Sequence, residues 1–151
     1  MHVTLLWLVN ERNELLIAQR AKSIDSDPGV WGPSVSGVVE EGESAAEAAV
    51  RELSEELGLT LPLDQLAYMG DYSFTGHPDG RVRDFSIHKA PVFTEAADSF
   101  VLQLSEVGEV KWIAIPQLRQ FLLEHPEQVV SANAAELWNE MLSDLESVAG
   151  D

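Results

Sequence analysis

The sequence contains no cysteine. A disulfide-stabilised fold, a cysteine nucleophile, and a zinc or iron–sulfur centre held by cysteine are therefore excluded. It also has no apolar run close to the roughly 20 residues that a membrane-spanning helix requires. No Lys or Arg precedes Arg12, so the amino-terminal segment does not resemble a signal peptide. We therefore expect a cytoplasmic protein that does not enter a membrane.

Basic residues are also few, with nine Lys and Arg against 26 Asp and Glu, and the net charge is −17. Nucleic-acid affinity comes largely from neutralised phosphates, so we expect no stable binding of DNA or RNA. A small phosphorylated ligand would be repelled as well, unless cations were recruited locally. Solubility alone would also explain the charge.

The remaining composition is that of one globular domain, with 151 residues of which 45% are hydrophobic. No repeat or linker divides it, so residues 1–151 are predicted to form a single domain. A turn at 10–13 predicts a hairpin of the first two strands, and a turn at 76–80 joins two later ones. Strands are predicted at 4–9, 14–20, 30–37, 66–74, 81–93 and 110–115, and helices at 44–57, 116–123 and 131–148. The pattern predicts a mixed sheet between helices.

The clearest helix signal covers residues 44–57. Ser44 and Glu47 have the spacing of a capping box, in which each side chain satisfies an unpaired backbone N–H group. Gly58 stands where a helix C′ residue is expected. The predicted buried stripe consists of Ala46, Ala49, Val50, Leu53 and Leu57.

The same helix carries three carboxylates on one face, Glu52, Glu55 and Glu56. Residues at these spacings have Cβ atoms about 5–6 Å apart, and like charges there destabilise an isolated helix. A hard divalent cation such as Mg²⁺ or Mn²⁺ would resolve this repulsion. An acidic face exposed to solvent is the alternative.

Residues 37–59, GVVEEGESAAEAAVRELSEELGL, match the pattern G-x5-E-x7-R-E-U-x-E-E-x-G-U, where U is a bulky aliphatic residue. This segment resembles the Nudix box, the signature of the MutT-like Nudix hydrolases. The resemblance implies an α/β fold, an α/β/α sandwich around a mixed sheet, in which the box forms a loop, a helix and a loop. The matched positions are Gly37, Glu43, Arg51, Glu52, Leu53, Glu55, Glu56, Gly58 and Leu59.

The resemblance also implies a reaction. Nudix hydrolases use Mg²⁺ or Mn²⁺ and activated water to cleave a diphosphate that links a nucleoside to another group. The metal ligands would be Glu52, Glu55 and Glu56, together with the Gly37 carbonyl. Arg51 would orient the carboxylates through a salt bridge within the box. Glu43 would pair with Arg51 or reach the metal through water.

The general base stays open at this stage. Glu106 stands six residues before Trp112, where some family members carry an additional catalytic or metal-binding Glu. Glu109 lies nearby, and Glu55 or Glu56 could also act as the base. An exposed loop acid without a catalytic role is the alternative for Glu106.

The scarce arginines are candidate substrate contacts, namely Arg20 at the end of the second strand and Arg81 and Arg83 after the turn. An ordinary surface position is the favoured explanation for each of them. Trp31 and Phe74 are candidates to stack on a base, although packing explains them as well.

Residues 15–37 also resemble the isopentenyl diphosphate isomerase branch of Nudix proteins. That branch requires a Cys and a nearby His, whereas the matching positions here are Ser36 and Val38. Its box is depleted in carboxylates, and this one is complete. The sequence therefore favours a hydrolase, with a non-catalytic nucleotide-binding module as the alternative. The substrate, the attacked phosphorus and a possible homodimer stay open.

Overall fold

The computed structural model describes residues 1–25, 27–75, 79–94, 99–130 and 135–149. Short 3-10 turns lie at Leu63–Gln65 and Pro126–Gln128. In chain order, the strands and helices are β1 (His2–Trp7), β2 (Glu14–Arg20), β3 (Trp31–Gly32), β4 (Val35–Val38), α1 (Ala45–Leu57), β5 (Ala67–Phe74), β6 (Arg83–Lys89), β7 (Val107–Ala114), α2 (Ile115–Glu124) and α3 (Ala135–Ala149).

The described strands form two sheets. The first has the order β4-β1-β6-β5, in which β1 and β6 run parallel and the other neighbours antiparallel. The second, β3-β2-β7, is antiparallel. Helix α1 packs on β1 and β4, whereas α3 contacts β5. The predicted α/β class, with a mixed sheet between helices, is confirmed.

The predicted hairpin of β1 and β2 is confirmed only at its turn. Val9 and Leu15 form an isolated bridge there, and the Leu16 N–H donates to the Leu8 carbonyl at 3.0 Å. Beyond this point, β1 and β2 enter different sheets. Both strands have consecutive buried residues and need cover on both faces, so their local pattern does not specify a partner strand.

Several boundaries differ from the prediction. Strand β6 ends at Lys89 rather than at 93, and Phe93 instead bridges to Asn10. Strand β7 begins earlier, at Val107. The predicted turn residues 76–78 and the predicted helix start at 131–134 lie outside the described residues.

Helix α1 has the predicted ends. The Ser44 hydroxyl accepts from the Glu47 N–H at 3.1 Å, and Glu47 accepts from the Ser44 N–H at 2.9 Å. Gly58 has a left-handed φ of 71°, which glycine adopts without strain. The buried face is rotated from the predicted stripe: it includes Ala48 and Glu56, and Ala46 and Val50 are only half-buried.

The core lies on both faces of β1. One cluster joins Leu5 and Trp7 to α2 and α3, and the other joins Leu6 and Leu8 to α1. The Thr4 hydroxyl donates to the Ala45 carbonyl at 2.8 Å and connects β1 to the start of α1. Within the described residues, no helix combines the length and apolar character needed to cross a bilayer.

Candidate metal and substrate site

A cavity of about 560 Å³ lies where residues of both sheets meet α1. Arg81 is exposed and is not among the lining residues described, although Arg83 is. The cavity brings together residues from β2, β4, β6, α1 and the segment before β7. The predicted site residues that line it are Arg20, Gly37, Arg51, Glu52, Glu55, Glu56, Arg83 and Glu106.

The three box carboxylates differ in exposure. Glu56 is 9% exposed as a residue, whereas the side chain of Glu55 is 50% exposed and that of Glu52 is 15% exposed. Burial raises the pKa of Glu56 far above its ordinary value, and the neighbouring Glu52 carboxylate raises it further. A hydrogen bond from the Ser36 backbone opposes this rise in pKa. Glu56 is therefore a carboxyl group whose ionised form requires a compensating positive charge.

Arg51 joins the box carboxylates to the preceding loop. Its guanidinium donates to Glu43 at 2.8 and 3.1 Å, to Glu52 at 2.8 Å and to the Val38 carbonyl at 3.1 Å. Glu55 lies at 3.4 Å. The bond from Arg51 lowers the pKa of Glu43, and Glu43 and Glu52 raise the pKa of Arg51. The pairing of Glu43 with Arg51 agrees with the first of the two roles predicted for Glu43.

Residue 37 has to be glycine because the Glu52 side chain lies very close to its Cα atom. A Cβ atom at this position would lie 2.5 Å from Glu52 Oε1 and 2.6 Å from Glu52 Cγ. Such distances are well inside van der Waals contact, so any side chain here would displace the Glu52 carboxylate. The absence of a side chain at residue 37 therefore makes room for Glu52.

Glu106 reaches the cavity from a turn that is tied to α1. The Gln103 N–H donates to the Glu56 carbonyl at 3.0 Å, and the Glu106 N–H donates to the Gln103 carbonyl at 2.8 Å. The charge of Glu106 also contributes to the raised pKa of Glu56. Glu109 lies in β7, opposite Gln19, and is not among the lining residues described.

The donor set fits Mg²⁺ or Mn²⁺. These cations prefer carboxylate and carbonyl oxygen, and both the box carboxylates and Gly37 line this cavity. Ionised Glu56 also needs a nearby positive charge. Within the described part of the chain, no three acidic or histidine side chains already surround one point as metal ligands. Arg51 instead holds Glu52 and Glu55, so metal binding would require these side chains to reorient.

Some lining residues had no sequence signal. Asp27, Ser36 and Gln103 line the cavity together with an apolar surface from β1 and β6. The sequence marks Ser36 only as the position that a Cys occupies in the isomerase branch. The other residues reach the cavity because segments that are distant in sequence pack together, and no local motif indicates this packing.

Comparison with known proteins identifies the family of this chain. A family model described as the NUDIX domain matches residues 1–134. The chain belongs to the Nudix family. The box, helix α1 and its carboxylates all lie within the matched residues.

One curated relative of this Nudix chain is the isopentenyl-diphosphate Delta-isomerase of Salmonella typhi. The two are 35% identical over 123 residues, which cover 80% of this chain and 65% of that protein. The chain therefore spans slightly less than two-thirds of the relative's length.

Two solved structures support the Nudix fold. The MutT protein from Methanosarcina mazei Go1 has a TM-score of 0.73 at 17% identity, covering 100% of this chain and 96% of that one. The NUDIX domain of Shewanella oneidensis NrtR, complexed with ADP ribose, has a TM-score of 0.63 at 20% identity, covering 80% and 76%. At these identities the likeness concerns the fold alone.

Proposed function

We propose that this Nudix domain hydrolyses a diphosphate linkage with the help of Mg²⁺ or Mn²⁺. The observation that carries the proposal is one cavity lined by the three box carboxylates, by Glu106 from a separate segment, and by Arg20. Isopentenyl diphosphate and ADP ribose, named with the relatives, both contain a diphosphate, which supports this substrate class.

In this proposal, Glu52, Glu55, Glu56 and the Gly37 carbonyl hold the cation. Bound there, the cation would neutralise phosphate charge and lower the pKa of water. This compensation matters because a protein of net charge −17 repels a diphosphate.

The other site residues orient the carboxylates, bind the substrate and accept a proton. Arg51 keeps the carboxylates in position through its bonds to Glu43 and Glu52. Arg20 contacts a phosphate oxygen of the substrate. Glu106 accepts the proton of the attacking water, because it lines the same cavity as the box carboxylates and its charge acts on Glu56.

The first experiment measures phosphate or nucleotide released from a panel of diphosphates with Mg²⁺, Mn²⁺ or EDTA. The panel includes ADP ribose, dinucleoside polyphosphates, nucleoside triphosphates and isopentenyl diphosphate. Turnover should require the cation and fall at least a hundredfold in Glu56→Gln. The matched control is Glu41→Gln, because Glu41 is exposed and is not among the lining residues described. Cation binding without turnover would instead support a nucleotide-binding module.

The same panel tests isomerisation, the activity in the relatives' name. An isomerase would convert isopentenyl diphosphate to an isomer with its diphosphate intact, as NMR would show. The chain lacks the cysteine that the resemblance assigns to that activity. We therefore expect release of phosphate without an isomer.

Glu106→Gln tests the assignment of the base. We expect kcat to fall at least tenfold and the acidic limb of its pH profile to change. A fall in kcat of less than about threefold would remove Glu106 from the mechanism. The role of base would then pass to Glu55 or Glu56.

A further inference from the structure

The segment 99–106 lies against the C-terminal end of α1. The Val101 N–H donates to the Leu57 carbonyl at 3.0 Å, and the Gln103 N–H donates to the Glu56 carbonyl at 3.0 Å. The last four carbonyls of an α-helix have no partner within the helix. The segment 99–106 therefore supplies hydrogen-bond donors to two carbonyl groups that the end of the box helix leaves without a partner.

Gly58, the residue after α1, lies very close to this segment. A Cβ atom at residue 58 would be 2.8 Å from Val101 Cβ and 3.1 Å from the Val101 carbonyl oxygen. Carbon atoms in ordinary contact are about 3.5–4.0 Å apart, so a side chain at residue 58 would displace Val101. This contact is a requirement for glycine separate from the left-handed φ of 71° at the helix end.

A displacement of Val101 would reach Glu106 through backbone hydrogen bonds. Val101 and Gln103 are bound to consecutive carbonyls of α1. The Gln103 carbonyl accepts the N–H groups of Glu106 and Val107, each at 2.8 Å. Gln103 and Glu106 both line the cavity. The position of Val101 is therefore linked to the position of the proposed base.

The Val101 side chain has no large role in the core. Val101 is 72% exposed, whereas its neighbour Phe100 is 8% exposed and belongs to the core cluster that contains Leu53 and Leu57 of α1. Phe100 thus attaches the segment to the core, and the Cβ atom of Val101 can be removed without opening a cavity there. This difference makes the contact between residues 58 and 101 accessible to mutagenesis.

We propose that Gly58 is a positioning residue, which acts through Val101 to hold the Glu106 carboxylate where it accepts the proton of the attacking water. The proposal rests on the proposed role of Glu106 as the base and adds a residue that does not touch the substrate. A misplacement of about 1 Å can slow an enzymatic reaction about a hundredfold. A side chain at residue 58 would therefore slow the chemical step.

Gly58→Ala tests this role with the diphosphate that the wild-type protein hydrolyses fastest. We expect kcat to fall at least tenfold and KM to change less than threefold, because the base acts in the chemical step rather than in binding. The matched control is Gly80→Ala. Gly80 has a similar φ of 75°, and a Cβ there would meet nothing within 4 Å. The control has comparable backbone strain without the contact and should keep the wild-type kcat.

The same substitution in a Glu106→Gln background distinguishes positioning of the base from general damage to the fold. If Gly58 acts through Glu106, Gly58→Ala should lower the kcat of Glu106→Gln less than twofold, because the base is already absent. A tenfold loss in both backgrounds would overturn the proposal, since the effect would then arise from Glu56 or from the fold as a whole.

Variants of Val101 test the contact itself. Val101→Gly removes the Cβ atom that a side chain at residue 58 would meet, whereas Val101→Ala retains it. Gly58→Ala/Val101→Gly should therefore recover kcat to within threefold of Val101→Gly alone. Gly58→Ala/Val101→Ala should stay as slow as Gly58→Ala. Equal kcat values in the two double variants would exclude this contact as the cause.

Gly58→Asn replaces Gly58→Ala if the alanine variant does not fold, because asparagine adopts a left-handed φ more readily and still has a Cβ atom. It should show the same loss of kcat and the same recovery with Val101→Gly. An unchanged kcat in these variants would overturn the positioning role alone. No cation-dependent turnover of any diphosphate by the wild type would overturn the proposed function and this role with it.

Discussion

Arg51 and Glu56 show how single residues determine the electrostatics of the site. Arg51 reaches Glu43, Glu52 and the Val38 carbonyl at once, which a planar guanidinium with several donors can do and a lysine ammonium cannot do in the same geometry. Glu56 is the most buried of the box carboxylates. The first residue holds its neighbours in position, and the second is the carboxyl group whose charge the proposed cation would neutralise.

Gly37→Ala tests whether the space beside Glu52 matters. The new Cβ would meet the end of a flexible side chain, so Glu52 would turn away at small cost to the fold. We expect the Mn²⁺ concentration for half-maximal activity to rise at least tenfold, with a change in Tm of less than about 3 °C, which corresponds to about 1 kcal/mol.

The matched control is Gly108→Ala, because a Cβ there would meet its nearest neighbour at an ordinary 3.7 Å. That variant should keep the wild-type response to Mn²⁺. Equal responses in the two variants would show that the gap at residue 37 has no role in the site.

His88 gives a pH dependence that is independent of the box carboxylates. It is 7% exposed, and its Nδ1 has no hydrogen-bond partner in the described structure. Burial lowers the pKa of His88, against an opposing effect of Asp71. The unfolded chain therefore binds this proton more readily, and the free energy of unfolding should decrease as the pH falls below about 6.5.

Urea unfolding in EDTA at pH 5.5 and 7.5 measures this effect. His88→Phe removes the titrating group, so the variant should lose less stability than the wild type between these pH values. Parallel losses in the two proteins would contradict the assigned role of His88.

At the scale of elements, α1 is stabilised by local contacts, whereas the junction of β1 and β2 is stabilised by a residue distant in sequence. The helix depends on contacts between residues three or four positions apart, and its ends were predicted correctly. The junction depends on Ser34, a fully buried residue from the segment between β3 and β4. Its hydroxyl accepts from the Leu8 N–H at 2.9 Å and donates to the Leu16 carbonyl at 2.6 Å. One side chain thus satisfies backbone groups where the two strands separate.

Ser34→Ala should destabilise the protein by about 2 kcal/mol, because it leaves a buried donor and a buried acceptor without their partner. Urea unfolding of the wild type and the variant gives this value. Ser54→Ala is the control: Ser54 is exposed in α1, and alanine has the higher helix propensity, so no loss of stability is expected. If Ser34→Ala lowered the free energy of unfolding by less than about 0.5 kcal/mol, the two hydrogen bonds of Ser34 would not contribute as proposed.

At the scale of the whole molecule, the net charge of −17 and a buried carboxyl site lead us to expect that stability depends on cations. A cation that binds only the folded state adds about 2.7 kcal/mol at a hundred times its Kd. For a domain of this size, that corresponds to a rise in Tm of about 5–10 °C. We expect this rise with Mg²⁺ or Mn²⁺ beyond the effect of NaCl at equal ionic strength.

The double variant Glu52→Gln/Glu56→Gln should lose the specific rise in Tm, and Glu41→Gln should retain it. Thermal unfolding by circular dichroism provides the measurement. If Na⁺ and Mg²⁺ raised Tm equally at matched ionic strength, the effect would be general screening rather than a site.

Local spacing was sufficient to recognise the box, the capping of α1, Gly58 and the mixed α/β class. These features lie in continuous stretches of the chain, the box in residues 37–59, so their patterns are visible in the sequence. The same spacing placed the three carboxylates on one helix face, and the resemblance to the Nudix box implied the salt bridge of Arg51 within the box.

Only the folded chain brought Glu106 to the same cavity as Glu56, separated β1 from β2, and placed β1 beside β6. It also distinguished Arg83 at the cavity from the exposed Arg81. These arrangements depend on residues far apart in sequence. Since β1 and β2 are apolar on both faces, their patterns are compatible with several partners, and packing between distant segments selects one of them.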